Sequence, residues 1–122
     1  MIIEELLRNF LSEKLAYPVL TEIPDRDIPE QFYLIEKTGG SISNHIERST
    51  ITIQSYGNSL YDSSVMNEQL KYAMEYNAIS IPEIVSIDLD GDYNFTDTTE
   101  KKYRYQAVFD IVHYELFEGG LI

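Results

Sequence analysis

The sequence predicts an α+β domain in which two helices pack on one face of a mainly antiparallel sheet of four to five strands. Two segments carry apolar residues at three- and four-residue spacing, which is typical of helices with one buried face. The other apolar segments are short, alternate with polar residues and end near glycine or proline, as strands do. The order is helix, short strand, strand, strand, helix, strand, strand. Such an order in 122 residues predicts one domain, 1–122, without repeats or linkers.

The first helix is predicted over residues 2–15. Glu4 and Glu5 in its first turn and Lys14 in its last turn favour the helix dipole, and Pro18 prevents the helix from continuing. The face expected to be buried repeats at helical spacing and comprises Ile3, Leu6, Leu7, Phe10 and Leu11.

Three extended segments follow. A short one at 19–22 leads into a polar turn bracketed by prolines at 24–29. Residues 32–37 have few polar positions, so we expect a strand in the middle of the sheet that ends at Gly39-Gly40-Ser41. The clearest strand is 45–56. Its alternation places the apolar Ile51 and Ile53 on one face and the polar Thr50, Thr52 and Gln54 on the other.

The second helix is predicted over about 60–76. Ser59 followed by Asp62 is a start signal of the capping-box type, and Pro82 bars any continuation. The stripe expected to be buried comprises Met66, Leu70, Ala73 and Met74, widened by Tyr61, Val65, Tyr72 and Tyr76.

Two further strands are predicted at 85–89 and 102–116. Between them lies the polar segment 90–101, which is too hydrophilic to be buried and long enough to project from the domain. The apolar positions alternate along each strand and comprise Val85, Ile87 and Leu89 in the first, and Tyr103, Tyr105, Ala107, Phe109 and Ile111 in the second.

The balance of charge argues against two classes of partner. Nine Lys and Arg against twenty-one Asp and Glu give a net charge of −12, whereas nucleic acids and anionic membrane surfaces are bound through cations. No apolar run approaches the roughly 18 residues that a membrane-spanning helix needs. The absence of cysteine excludes disulfides, thiolate metal sites and a cysteine nucleophile.

One acidic segment has part of the pattern of a calcium-binding loop. Asp88, Asp90 and Asp92 stand at alternate positions, as the first ligands of an EF-hand do. However, Gly91 comes too early, and Thr99 stands where the bidentate glutamate belongs. We therefore expect a hairpin strand with outward acids that turns near Gly91, and keep a calcium site as an alternative.

No residue pattern predicts catalysis. His45 and His113 are far apart and lack a partner at metal-ligand spacing, so we expect His113 to be a packed or hydrogen-bonded structural residue. No serine lies in a nucleophile elbow. The ten tyrosines combine an apolar face with a hydroxyl and are enriched where proteins meet. Together these features favour an interaction protein without cofactor or metal rather than an enzyme.

Two segments resemble a known family. Residues 44–57 and the helix after them resemble the central strand and helix of tail terminator proteins, the tail completion proteins of long-tailed phages; they read NHIERSTITIQSYG. Residues 92–97 and 102–111 resemble the closing hairpin of the same proteins from phages and prophages of Gram-positive bacteria; they read DYNFTD and KYRYQAVFDI. The predicted order of elements is also similar to the tail terminator fold.

The resemblance implies a structural protein of the virion, located at the tail–head junction and made in the host cytoplasm. Such proteins form a ring, usually a hexamer, which caps the tail tube, stops polymerisation of the major tail protein and joins the tube to the head connector. The family has no catalytic residues to carry over. The candidates for contacts with other subunits or partners are Tyr93, Phe95, Asp97, Lys101, Lys102, Arg104 and Arg48.

Within this interpretation, carboxylates around the lumen of the ring let DNA pass without specific binding. Two alternatives stay open. Another head–tail joining or minor capsid protein of the same junction binds the connector rather than the tail tube. An acidic inhibitor that mimics DNA binds a basic enzyme as a monomer or dimer.

Overall fold

A computed structural model describes residues 1–116 of the chain. In this part of the chain two α-helices pack against a five-stranded sheet, which confirms the predicted α+β class and element order. The helices are α1 (Ile3–Lys14) and α2 (Leu60–Tyr72). The strands are β1 (Val19–Leu20), β2 (Phe32–Ser43), β3 (Ile46–Gly57), β4 (Ile84–Asn94) and β5 (Tyr103–Tyr114).

The strands lie in the order β1-β2-β3-β5-β4. Neighbours are antiparallel except β1, which pairs in parallel with the first part of β2. β5 therefore lies between β3 and β4, although it is the last of these strands along the chain. The beginning of β2 has a strand on each side, as expected of an inner strand.

Both helices cover the same face of the sheet and enclose one continuous core. The predicted apolar faces of the helices and of β3 point into this core because their spacing matches the helical and strand periods. Its most completely buried side chains include Leu7, Leu11, Tyr33, Ile35, Ile51, Ile53, Leu70, Met74, Phe109 and Ile111.

Helix α2 begins as predicted and ends in an irregular way. The Ser59 hydroxyl accepts a hydrogen bond from the Asp62 amide at 3.0 Å, which satisfies one of the free amides of the first turn. After Tyr72 the chain continues in a π-helical turn, Ala73–Asn77, and a 3-10 turn, Ala78–Ser80. The predicted buried stripe of this helix is buried.

The four residues expected to widen the buried stripe of α2 are exposed instead. The side chains of Tyr61, Tyr72 and Tyr76 are 76%, 62% and 65% exposed, and Val65 is 37% exposed. The core is already filled by the stripe itself, so these four residues lie on the solvent side of α2.

Strand β2 is longer than predicted. The expected end at Gly39-Gly40-Ser41 is wrong, because the strand pairs with β3 as far as Ser43. A bulge between Lys37 and Gly39 absorbs an extra residue while the pairing continues. Since β1 reaches only to Leu34, the second half of β2 is an edge of the sheet.

Strand β4 departs from the predicted alternation at two bulges, between Ile84 and Ser86 and between Leu89 and Gly91. Val85 and Leu89, expected on the apolar face, are 47% and 38% exposed, whereas Ile84 is buried. The turn predicted near Gly91 is also wrong, because the strand continues to Asn94. Only the later part of the segment 90–101 projects, as the turn of the β4–β5 hairpin.

Candidate interaction surface

The sheet face opposite the helices, here called the open face, is the candidate interaction surface. Strand register determines which residues lie on it, since alternate positions point to opposite sides. They include Phe32, Leu34 and Glu36 of β2, Arg48, Thr50, Thr52, Gln54 and Tyr56 of β3, Asp88 and Tyr93 of β4, and Arg104, Gln106, Val108, Asp110 and Val112 of β5.

Arg104 is held against two aromatic rings at one end of the open face. Its guanidinium carbon lies 4.7 Å from the ring centre of Phe95 and 5.5 Å from that of Tyr56. The guanidinium also donates to the Tyr56 hydroxyl at 3.0 Å and to the Phe95 carbonyl at 2.8 Å. Cation–π attraction and directed hydrogen bonds together fix the plane of the guanidinium.

A chain of hydrogen bonds extends this arrangement across the sheet. The Tyr56 hydroxyl donates to Gln54 at 2.9 Å, and the Gln54 amide donates to Gln106 at 2.8 Å. The Gln106 amide in turn donates to the Tyr93 hydroxyl. We call these side chains, with Arg104 and Phe95, the Arg104 cluster.

The Arg104 cluster presents two half-exposed rings to solvent. Tyr93 and Phe95 are 44% and 40% exposed and meet edge to face with their ring centres 5.9 Å apart. Because their neighbours hold them in place, little side-chain freedom is lost when a partner covers them. The arrangement suits protein recognition, and its groups are donors and aromatic faces rather than a nucleophile and base.

Asp97, Lys101 and Lys102 lie at the turn of the β4–β5 hairpin. The backbones of Asp97 and Lys102 pair through two hydrogen bonds of 3.0 Å, and the Asp97 carboxylate accepts from the amides of Thr99 and Glu100. Lys102 pairs with the Glu100 carboxylate at 3.0 Å in an exposed contact, which contributes little stability. Asp97 therefore shapes the turn, and the two lysines are left at its surface.

Arg48 lies apart from the other predicted interface residues. It is exposed on the open face, between Ser41 of β2 and Val112 of β5. Eight residues of β3 separate it from Tyr56, or about 26 Å at the rise of a strand. The structure thus brings Tyr93, Phe95 and Arg104 together, places Asp97, Lys101 and Lys102 beside them in the hairpin turn, and leaves Arg48 distant.

The three aspartates considered for calcium do not converge. Asp88 lies on the open face, whereas Asp92 lies on the helix side. There Asp92 accepts hydrogen bonds from Asn67 at 2.6 Å and Lys71 at 2.5 Å. Within residues 1–116, no three potential metal ligands lie close enough together to hold an ion.

The open face also contains a pair of like charges that the sequence reasoning missed. Asp88 and Asp110 stand directly opposite each other on β4 and β5, and Thr50 donates to the Asp110 carboxylate at 3.3 Å. Like charges in this position destabilise a sheet. Only the pairing register of β4 with β5 reveals this pair. The two bulges in β4 prevent that register from being predicted from the sequence.

No protein-family model matches the chain, and comparison with the curated proteins gives no significant match. In the part of the chain that the structure describes, no helix combines the length and apolar character that crossing a membrane requires.

Proposed function

We propose that this chain is a tail terminator, a non-enzymatic structural protein of the phage virion. Its copies form a ring, a hexamer in the family that the sequence resembles, at the head-proximal end of the tail tube. The ring stops polymerisation of the major tail protein and joins the tube to the head connector. Assembly takes place in the host cytoplasm.

The observation that carries this proposal is the open face with Asp88 opposite Asp110. A sheet with helices on one side only leaves its other side to solvent or a partner. Two opposed carboxylates cost stability there and do nothing for a face that only contacts water. If the open face lines the lumen of a ring, the same carboxylates repel the phosphates of DNA as it passes.

The unlike edges and ends of the domain also support a ring. A ring needs a heterologous contact, in which one surface of a subunit meets a different surface of the next and the rotation closes. The β4–β5 hairpin and the Arg104 cluster lie at one end of the sheet. The exposed edge of β2 is a different surface, on the side of β3 that faces away from β5.

Deletion of the gene from the phage or prophage that carries it tests the proposal. Negative-stain microscopy is expected to show overlong, irregular tail tubes, and the wild-type gene supplied in trans is expected to restore a uniform length. Tubes of normal length without attached heads contradict a terminator and indicate another joining or minor capsid protein. Binding of the purified chain to the major tail protein, compared with the connector protein, gives an independent measurement.

The role of the open face has its own test. The double variant Asp88→Lys/Asp110→Lys is expected to give tails of normal length but fewer infectious particles, because the lumen then attracts DNA. Glu5→Lys/Glu13→Lys, which makes the same change of charge at exposed positions of α1, is the matched control. Equal infectivity of the two variants argues against a lumen lined by the open face.

Normal tails after deletion, together with tight binding to a basic enzyme, indicate the DNA-mimic inhibitor instead. In that case the free chain is expected to be a monomer or dimer. A nuclease or other DNA-binding enzyme inhibited by the purified chain at equimolar concentration distinguishes this outcome.

A further inference from the structure

A groove with a volume of about 280 Å³ lies at the end of the sheet next to the Arg104 cluster. We call it the end groove. Its floor is the stacked pair Phe32 and Tyr56, whose ring centres are 4.5 Å apart. The volume is close to the lower end for ligand pockets, about 300 Å³, so the groove suits one or two side chains. Its walls and rim are formed by Ile23 and Ile28 and by Lys101 and Lys102.

The end groove combines exposed apolar walls with charged groups of both signs at its rim. Ile23 and Ile28 are 41% and 51% exposed, which is costly for two isoleucines in one loop. Lys101 and Lys102 bring two of the nine cations of the chain to the same place as Glu30, and Lys102 pairs with Glu100 at 3.0 Å. Lys101 is therefore the cation that a partner's acid can meet. Such a surface fits a partner that is apolar at its centre and places one acid against Lys101.

The chain itself carries a surface of that kind on α2. The four exposed residues Tyr61, Val65, Tyr72 and Tyr76, here called the tyrosine stripe, follow helical spacing along the solvent side. The rings of Tyr72 and Tyr76 lie 4.9 Å apart across the π-helical turn. Glu68 and Glu75 are exposed on the same side of the helix, and Glu68 pairs with Lys71 at 2.7 Å, so Glu75 is the acid that this surface offers to a partner.

The two surfaces lie at different places on one copy. The end groove adjoins Gly57, just before α2, whereas Tyr72 is twelve residues beyond Leu60. At 1.5 Å per residue, Tyr72 lies about 18 Å along the helix. A chain with two complementary surfaces so far apart brings them together between copies, and that contact is heterologous.

We propose that the tyrosine stripe of one copy docks on the end groove of the next. Tyr72 and Tyr76 pack against Ile23 and Ile28, and Glu75 faces Lys101. Two copies that each carry a charge of −12 repel each other, and a contact between lysines and acids is where this repulsion is least. The inference rests on the proposed function, since a ring requires a repeated contact of this type.

Sedimentation of two variants of the full chain, alone and mixed, tests the contact. The groove variant is Lys101→Glu/Lys102→Glu and the stripe variant is Tyr72→Ser/Tyr76→Ser. Each alone is expected to associate at least about tenfold more weakly than the wild type, because tyrosines in such contacts often dominate affinity. An equimolar mixture is expected to form a dimer and nothing larger, since one intact groove meets one intact stripe.

Lys37→Glu/Tyr114→Ser is the matched control, because it changes an exposed cation and an exposed tyrosine away from both surfaces. It is expected to associate like the wild type. Circular dichroism checks that each variant is folded. If the groove variant is unfolded, the single change Lys101→Ala replaces it; if the stripe variant is unfolded, Tyr76→Ser replaces it.

Three results overturn the contact: a wild-type chain that stays monomeric at about millimolar concentration, variants that associate like the wild type, or a mixture without dimer. None of these results decides the proposed function, which the tube-length experiment on the deleted phage tests separately. Conversely, association through this contact combined with normal tubes after deletion overturns the proposed function and leaves the contact in place.

Discussion

The buried hydroxyl of Ser49 lies 2.8 Å from Nε2 of the buried His113 ring. The other ring nitrogen, Nδ1, lies 2.8 Å from the carbonyl oxygen of Tyr114. Because a carbonyl only accepts hydrogen bonds, Nδ1 donates; a ring that carries its one proton there accepts from Ser49 at Nε2. A Glu47 carboxylate oxygen lies 3.6 Å from the same nitrogen. His113 thus joins β5 to β3 as a packed and hydrogen-bonded residue, which is the role that its sequence context predicts.

Ser49→Ala removes the donor to this ring. The buried Nε2 is then left without that partner, and the free energy of unfolding is expected to fall by about 1–3 kcal/mol. Urea denaturation measures the loss, and Ser41→Ala, at an exposed position of the neighbouring strand, is the control. Nitrogen chemical shifts that place the proton of the wild-type ring on Nε2 contradict the assignment.

Asp88→Asn removes one of the two opposed carboxylates on the open face. The variant is expected to be more stable than the wild type at neutral pH by about 0.2–1 kcal/mol, because the repulsion from Asp110 is lost. Thermal unfolding at low and high salt measures the gain, which shrinks as salt screens the wild-type pair. Asp25→Asn, in an exposed loop, is the control; an equal gain there shows that net charge alone is responsible.

Gly57→Ala tests the close approach of α2 to the end of β3. A Cβ at this position meets the Ser63 amide nitrogen at 2.5 Å and its Cα at 2.9 Å, and backbone atoms there cannot move aside without displacing the helix. We expect a loss of about 1–3 kcal/mol in urea denaturation. Gly39→Ala is the control, because its nearest contact is an ordinary 3.7 Å to Thr50. Equal effects of the two changes contradict the steric explanation.

Two buried or paired groups make the fold sensitive to alkali. Lys71 donates to Asp92 and to Glu68, and these hydrogen bonds raise the pKa of its ammonium group. Burial raises the pKa of the Tyr33 phenol well above its usual value. In both cases the folded state holds its proton more tightly than the unfolded chain does. The stabilisation is therefore complete below about pH 10, the usual pKa range of these groups, and is lost as the pH rises above it.

Thermal unfolding between about pH 8 and pH 11.5 measures this loss. Tyr33→Phe and Lys71→Met are each expected to flatten the alkaline fall in Tm, since each removes one of the two titrating groups. Tyr61→Phe and Lys102→Met, at exposed positions, are matched controls and are expected to retain the wild-type fall. If the Tm of both Tyr33→Phe and Lys71→Met falls with alkaline pH as steeply as that of the wild type, these two groups are not the ones that titrate.

The class of the fold and the order of its elements could be predicted because they depend on periodicity. The stripe on α2 and the alternation of Ile51 and Ile53 show directly in the spacing of apolar residues. Bulges leave no comparable signal, since a single extra residue shifts the pairing without changing the composition. For this reason the burial of Ile84 and the exposure of Val85 could not be predicted from the sequence.

The candidate surface could be predicted in part. Tyr93, Phe95 and Arg104 belong to the hairpin that the sequence singled out, and they meet in the structure. Their partners Gln54 and Tyr56 are about fifty residues earlier in the chain, and only the pairing of β3 with β5 reveals the contact. Tyrosine periodicity on α2 was misleading because tyrosine suits both a core and an exposed binding surface.

The position of β5 between β3 and β4 has a consequence for synthesis. β3 and β4 leave the ribosome before the strand that separates them, so both have open edges until β5 emerges. During that interval the nascent chain exposes Ile51 and Ile53 beside unpaired backbone, a state that invites aggregation. Folding is therefore expected to be nearly all-or-none and to wait until β5 has emerged, and a fragment that stops before Tyr103 lacks the strand on which its two halves meet.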